Sequence, residues 1–224
     1  MLGWLGLALR LAAAPPPSVP ELQRQLATAP ADTNRVLLLN NLCWQLGTQN
    51  TVQAQAYGQQ GLRLARRLGF RLGEVYSLSS LARAAYLQHD ELAASRYYQQ
   101  AVRRAERVPR AARQLTLALL GLGRVAMEQQ DFAEGERYFR LALGRMQHHR
   151  HAVTPTDLGM VQNHLASLYA DWRRSGRPAP DSLSRLGAHY ARLAVATFRR
   201  LPPDDKLAAA LNGMGEVHAL AGRC

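Results

Sequence analysis

From Asp32 onward, apolar residues return at intervals of three and four, in runs of roughly 15 to 20 residues separated by short polar breaks. No stretch sustains a period of two. The pattern therefore predicts an all-α chain with no sheet. The breaks carry helix-start chemistry. Asp90, Asp131 and Asp181 are N-cap residues by type, because a short acceptor side chain can satisfy an orphan backbone amide of the first turn. Asp131 with Glu134 reads as a capping box, and Thr154-Pro155 places a cap before a proline at the first helical position. Ahead of this array, Pro15, Pro16, Pro17 and Pro20 form a stiff boundary, and a short helix is expected from Glu21 to Ala27.

The helical runs repeat. Three segments align on Leu42-Cys43, Leu81-Ala82 and Leu122-Gly123, each a leucine followed by a small residue. A second small residue follows on the next helix at Ala54, Ala94 and Gly135, and a third seven residues later at Gly61, Ala101 and Ala142. Tyr98 and Phe139 precede the third by three. Two antiparallel helices approach closely only where side chains are small, and large neighbours then fill the gaps beside the contact. A fourth copy keeps Leu165-Ala166 and Tyr169, with Gly187 and Ala194 on its second helix and an insertion at SGRPAPDS. A fifth begins at Met214-Gly215. A single hairpin leaves one face unburied, so successive hairpins must stack.

This register resembles the tetratricopeptide repeat (TPR) family. The resemblance rests on Leu81, Ala82, Ala94, Tyr98 and Ala101, and on Leu122, Gly123, Gly135, Phe139 and Ala142. It implies a TPR-type helical-hairpin solenoid of about four and a half repeats, over about 33–69, 73–108, 111–149, 155–201 and, in part, 204–224. The stretch ADTNRVLLLNNLCWQL, following a leader, looks like the start of periplasmic sensing regions in TPR-bearing sensor histidine kinases and related regulators. The family binds protein or peptide ligands on a concave surface lined by first helices. Carried onto this chain, that surface would hold Asn40, Trp44, Tyr76, Ser79, Arg83, Tyr86, Arg124, Met127 and Asn163. Aromatics there would supply area, arginines would capture carboxylates and amides would bond a backbone. The branch that clamps a C-terminal carboxylate does not fit. Asn40 matches one of its positions, but Trp44, Leu117 and Gly121 stand where its second Asn, its Lys and its Arg belong.

Composition changes this picture in few places. The formal charge is +12, from 28 basic and 16 acidic residues, and Lys206 is the only lysine. The arginines are spread along the chain, which reads as solvated helix faces, with a nucleic-acid-associated adaptor as the alternative function. Cys43 and Cys224 have no metal-ligand spacing. His148, His149 and His151, with His164 further on, read as a solvated helix end rather than a metal site. Phosphate loops, nucleophile triads and HExxH are absent, so the expectation is a binding protein without cofactor and not an enzyme. Residues 1–17 begin MLGWLGLALRLAAA, too short and interrupted for a membrane span. They resemble a degenerate signal peptide, which implies an exported, periplasmic protein, the alternative being cytoplasmic. The last helix, expected from Lys206 to Leu220, is followed by no partner helix in this sequence, so either the chain is a fragment of a longer array or its open face is expected to pair with another chain.

Overall fold

In the computed structural model, which describes residues 17–148, 153–178, 180, 182–201 and 205–221, the chain is a row of helices. They are α1 (Val19–Thr28), α2 (Thr33–Leu46), α3 (Thr51–Arg67), α4 (Arg71–Leu87), α5 (Glu91–Ala105), α6 (Ala112–Glu128), α7 (Phe132–His148), α8 (Pro155–Arg174), α9 (Leu183–Phe198) and α10 (Asp205–Ala221). One 3₁₀ turn, Pro109–Ala111, leads into α6. Among the described residues there is no strand. The short helix expected at 21–27 is α1, one turn longer. The leader lies outside the described residues but for Pro17.

Of the expected caps, Asp90 accepts the Ala93 amide at 2.9 Å. Asp32 and Asn50, not singled out from the sequence, do the same for the amides of Arg35 and Gln53, each at 3.0 Å. Asp181 lies outside the described residues. The box expected at Asp131 and Glu134 forms only by half. Asp131 accepts the Glu134 amide at 3.1 Å, but its own amide donates to the Ala126 carbonyl at 2.8 Å. Glu134 is thereby released to pair with Arg137. The reciprocal box is instead at Thr154 and Asp157, where each side chain accepts the other's backbone amide, at 3.1 and 3.0 Å.

Helices pack in consecutive pairs: α2 with α3, α4 with α5, α6 with α7, α8 with α9. Each second helix then packs on the next first helix, up to α10 on α9. First helices also touch their successors, α2 to α4, α4 to α6, α6 to α8 and α8 to α10, while second helices make no comparable contact. The first helices thus line one continuous wall, and the second helices splay behind it. The expected small residues sit at the contacts: Cys43, Ala54, Ala82, Ala94, Ala101 and Ala142 are all fully buried. Gly123 is the tightest case among them. A Cβ there would stand 2.4 Å from Cε1 of Phe139, the aromatic of the facing helix.

The first hairpin has one residue fewer between its small positions than the second and third. In those two, His89 and Gln130 adopt a left-handed backbone, both at φ 58°, just past α4 and α6. The following amides, of Asp90 and Asp131, then reach back to Ala85 and Ala126 at 3.0 and 2.8 Å. This is the reversal that satisfies a helix's last carbonyls. The turn after α2 has no left-handed residue and is one residue longer; the spacing is shorter because α2 stops three residues past Cys43, where α4 and α6 run five past Ala82 and Gly123. The insertion before α9 is held by Trp172, whose indole nitrogen donates to the Pro178 carbonyl at 3.0 Å and whose ring stacks on Phe132. On α10, Ala210 is buried against α9, while Leu211 stands 38 % exposed.

Asp157 does more than cap. It is 1 % exposed and accepts two bonds from Arg113, at 2.8 and 3.0 Å, joining the start of α6 to the start of α8. Burial alone would raise its carboxyl pKa. The Arg113 guanidinium and the Thr154 amide and hydroxyl outweigh that and hold it below the ordinary aspartate value.

Two substitutions test this packing. Gly123→Ala gains helix propensity of about 1 kcal/mol but drives a methyl into Phe139, so the net loss of stability should be about 1–3 kcal/mol. A second change, Phe139→Leu, should return part of it, and a denaturant midpoint unchanged by Gly123→Ala would show the contact to be loose. Arg113→Ala leaves a buried carboxylate with only its cap bonds. Because Arg113 is itself 44 % exposed, the cost should fall below that of breaking a fully buried pair, at about 1–3 kcal/mol in urea unfolding.

Candidate functional site

The wall of first helices brings two arginines onto two aromatic rings. The Arg83 guanidinium on α4 lies over the Trp44 ring of α2, 4.2 Å from its centroid, and its Nη1 donates to the Trp44 carbonyl at 2.9 Å. Arg124 on α6 lies over the Tyr86 ring of α4, also at 4.2 Å. The two pairs follow from one rule. The residue two beyond each signature leucine leans back across the end of the preceding first helix. In the first hairpin that end is Gly47, where a Cβ would stand 2.7 Å from Arg83 Nη1. Glycine there is what lets the guanidinium lie flat on Trp44.

The electrostatics of this patch are one-sided. Among the described residues neither Arg83 nor Arg124 has a carboxylate within 4 Å. Glu128, four residues past Arg124, instead accepts the Tyr86 hydroxyl at 2.8 Å. Burial lowers the Arg83 pKa, and the positive charge of Arg124 lowers it further. Tyr98 lies behind both, its phenol pushed up to about 12 chiefly by burial. Two half-buried cations, each stacked on a ring, are therefore presented by successive first helices of the wall. A cation laid on an aromatic face is stabilised by about 0.5–1 kcal/mol at exposed sites, which orients it without neutralising it.

The remaining residues expected on the wall fall elsewhere or only partly on it. Asn40 is a correction: it is 5 % exposed, accepts the Ser77 hydroxyl at 2.8 Å and points at Gly61 of α3. It is part of the helix packing because Gly61 leaves room for it there. Met127 packs into the largest core cluster and reaches toward Gly135 of α7. Asn163 faces Gly213 of α10. Tyr76 is half-buried near Arg113, toward the far end of α4. Ser79 is half-buried, with a hydroxyl that makes no hydrogen bond. Trp44, Arg83, Tyr86 and Arg124 are thus the four that converge.

The fold is shared with a solved protein. BtubC (BKLC) from P. vanneervenii superposes with a TM-score of 0.71 at 18 % identity, over 92 % of this chain and 80 % of that one. At that identity the likeness is one of fold alone. No protein family and no curated protein matches the chain. The chain is an all-α helical solenoid.

Three contributors to the patch were not signalled by the repeat register: Gly47, Glu128 and His164. His164 on α8 stacks on Phe139, ring centroids 5.7 Å apart and 11° from parallel. Burial, and then the charge of Arg124, push its pKa down to about 4, so the fold holds it neutral. Among the described residues no group of His, Cys, Asp and Glu is arranged to hold a metal ion; His149 and His151 lie outside them. Nor does any described helix have the length and apolarity to cross a membrane. Cys43 is buried, and that burial pushes its thiol up to about 12, away from thiolate chemistry.

His164 makes the pH dependence testable. Its folded pKa lies below its unfolded value, so between about 4 and 6.5 the unfolded chain binds the extra proton. Its contribution to stability is complete above pH 6.5 and is lost as pH falls, by up to about 2 kcal/mol between pH 7 and 5. His164→Gln should abolish that part of the slope. Equal slopes in the two proteins would show that His164 is not held neutral.

Proposed function

We propose that the chain is a TPR protein that binds an acidic stretch of a partner polypeptide along its wall of first helices. The observation that carries this is the pair Arg83 and Arg124, adjacent, stacked on Trp44 and Tyr86, and without a carboxylate of their own. An anionic side chain laid between them would relieve their mutual repulsion and accept charge-assisted hydrogen bonds from both. The rings beside them offer apolar area to the neighbouring residues of the same peptide. The role is one of docking or sensing, in a bacterial signalling setting, and not catalysis. Export to the periplasm belongs to the same proposal, through the leader, with the cytoplasm as the alternative.

Panning a displayed random-peptide library against the protein tests the reading. Selected peptides should be enriched in Asp and Glu near an aromatic or aliphatic residue. Arg83→Ala and Arg124→Ala should each weaken the best of them by roughly 1–2 kcal/mol, about five- to thirtyfold. Arg103→Ala, on the exposed side of α5, should leave affinity unchanged. Equal losses from all three would reduce the effect to net charge, and selection without acidic enrichment would remove the acidic ligand.

A further inference from the structure

The arginines look dispersed in sequence, but their spacing follows the helix junctions, and the fold gathers those junctions on two opposite edges. One edge holds the last five residues of each second helix, the loop after it, and the first four residues of the next first helix, with the corresponding α1–α2 loop. Among the described residues this edge carries fourteen basic and five acidic residues, with Arg35 and Asp32 of the α1–α2 junction included. The opposite edge, built the same way from first-helix ends, their loops and second-helix starts, carries six of each. Cross-contacts show that the basic junctions share one edge: Arg145 reaches Glu106, Arg104 reaches Glu74, and Arg113 bonds Asp157.

Pairing within the edge leaves most of its charge unspent. Arg63, Arg66, Arg67 and Arg71 at the α3–α4 junction, and Arg103, Arg107 and Arg110 at the next, have no carboxylate within 4 Å among the described residues. The helix dipole accounts for part of this, since Arg66, Arg67 and Arg103 sit in last turns, where cations are favoured. It does not account for Arg71 at the first position of α4, where the dipole opposes a cation, nor for Arg107 and Arg110 between helices. Arg71, Arg104 and Arg107 also line a cavity of about 200 Å³ with Glu74 and Val108, which shows cations from two helices converging on one space.

We infer that this edge docks double-stranded nucleic acid through its phosphate backbone, as a surface separate from the wall of Arg83 and Arg124. Three features select this partner. The seven unpaired guanidiniums at two successive junctions match a polymer with a dense, regular row of anions, and the guanidinium fork fits phosphate oxygens in pairs. Among the described residues no exposed aromatic accompanies them to supply the base stacking that single strands use. Leu68 is the one large apolar side chain exposed there among the described residues, too little for insertion into a lipid surface.

Fluorescence anisotropy with random-sequence 20-base-pair DNA and RNA duplexes, titrated with salt, decides the matter. At least one duplex should bind, with a log–log salt slope of about −4 or steeper, equivalent to five or more phosphates. The variant Arg66→Ala/Arg67→Ala/Arg103→Ala/Arg107→Ala should flatten that slope by about 3–4 and weaken binding more than tenfold at 100 mM salt. A charge-matched control, Arg96→Ala/Arg137→Ala/Arg185→Ala/Arg192→Ala, should do neither, with both variants retaining the parent's helical circular dichroism. Four results would each overturn the inference: no duplex binding, duplex binding lost in Arg83→Ala/Arg124→Ala as fully as in the edge variant, binding only to vesicles containing phosphatidylserine, or equal losses in the edge variant and its control. Arg103→Ala should weaken duplex binding and leave peptide affinity unchanged, and Arg83→Ala/Arg124→Ala the reverse, so the two surfaces fail or stand independently.

Discussion

Everything in this molecule depends on how closely two helices can approach where their side chains are small. Phe139 lies where a methyl on Gly123 would be, and Tyr98 lies in the same way on Gly121 of the next hairpin. These contacts hold each second helix against its own first helix and against the following one. Loosening them would separate the layers on which the wall and both edges are built. The aromatic and the glycine are one device, since a large ring without the gap has nowhere to go, and a gap without the ring is a void.

That device sets the geometry of the surface. First helices touch along the wall while second helices spread behind it, so a side chain two residues past each signature leucine meets its neighbour from the previous repeat. Arg83 on Trp44 and Arg124 on Tyr86 are successive uses of this one register. The same periodicity acts at the helix ends. Arginines about forty residues apart along the chain become neighbours along an edge, where they repel one another unless a carboxylate such as Asp157 or Glu74 intervenes. Asp157 shows how much one buried acid can carry: it caps α8, anchors Arg113 and joins two layers that are not adjacent in sequence.

The candidate wall was legible in part. Position relative to a leucine says which side of a helix a residue occupies, and for Trp44, Arg83, Tyr86 and Arg124 that was enough. For Asn40 it was not, because Gly61 of the neighbouring helix opens a slot that turns the amide inward toward Ser77. For Met127 and Asn163 the same register points partly at α7 and α10. In each case the outcome depended on the size of a residue on another helix, which a single-helix pattern does not contain. The half-formed box at Asp131 failed for a related reason. A left-handed Gln130 hands the Asp131 amide to Ala126, and Glu134 turns to Arg137.

By itself the sequence determined the helices, their order and the stacking of hairpins. Those follow from short-range chemistry: periodicity of apolar residues, cap side chains within three residues of their amides, and small residues at fixed spacing. The tertiary structure alone decided which charges are neighbours. Seven arginines in two runs of the sequence, 63–71 and 103–110, come to successive junctions with no carboxylate within 4 Å among the described residues, Arg113 finds Asp157 from 44 residues away, and the charge of Arg124 acts on Arg83. Coulomb interactions act through space over distances set by the packing of helices, so their partners are unknown until the layers are in place.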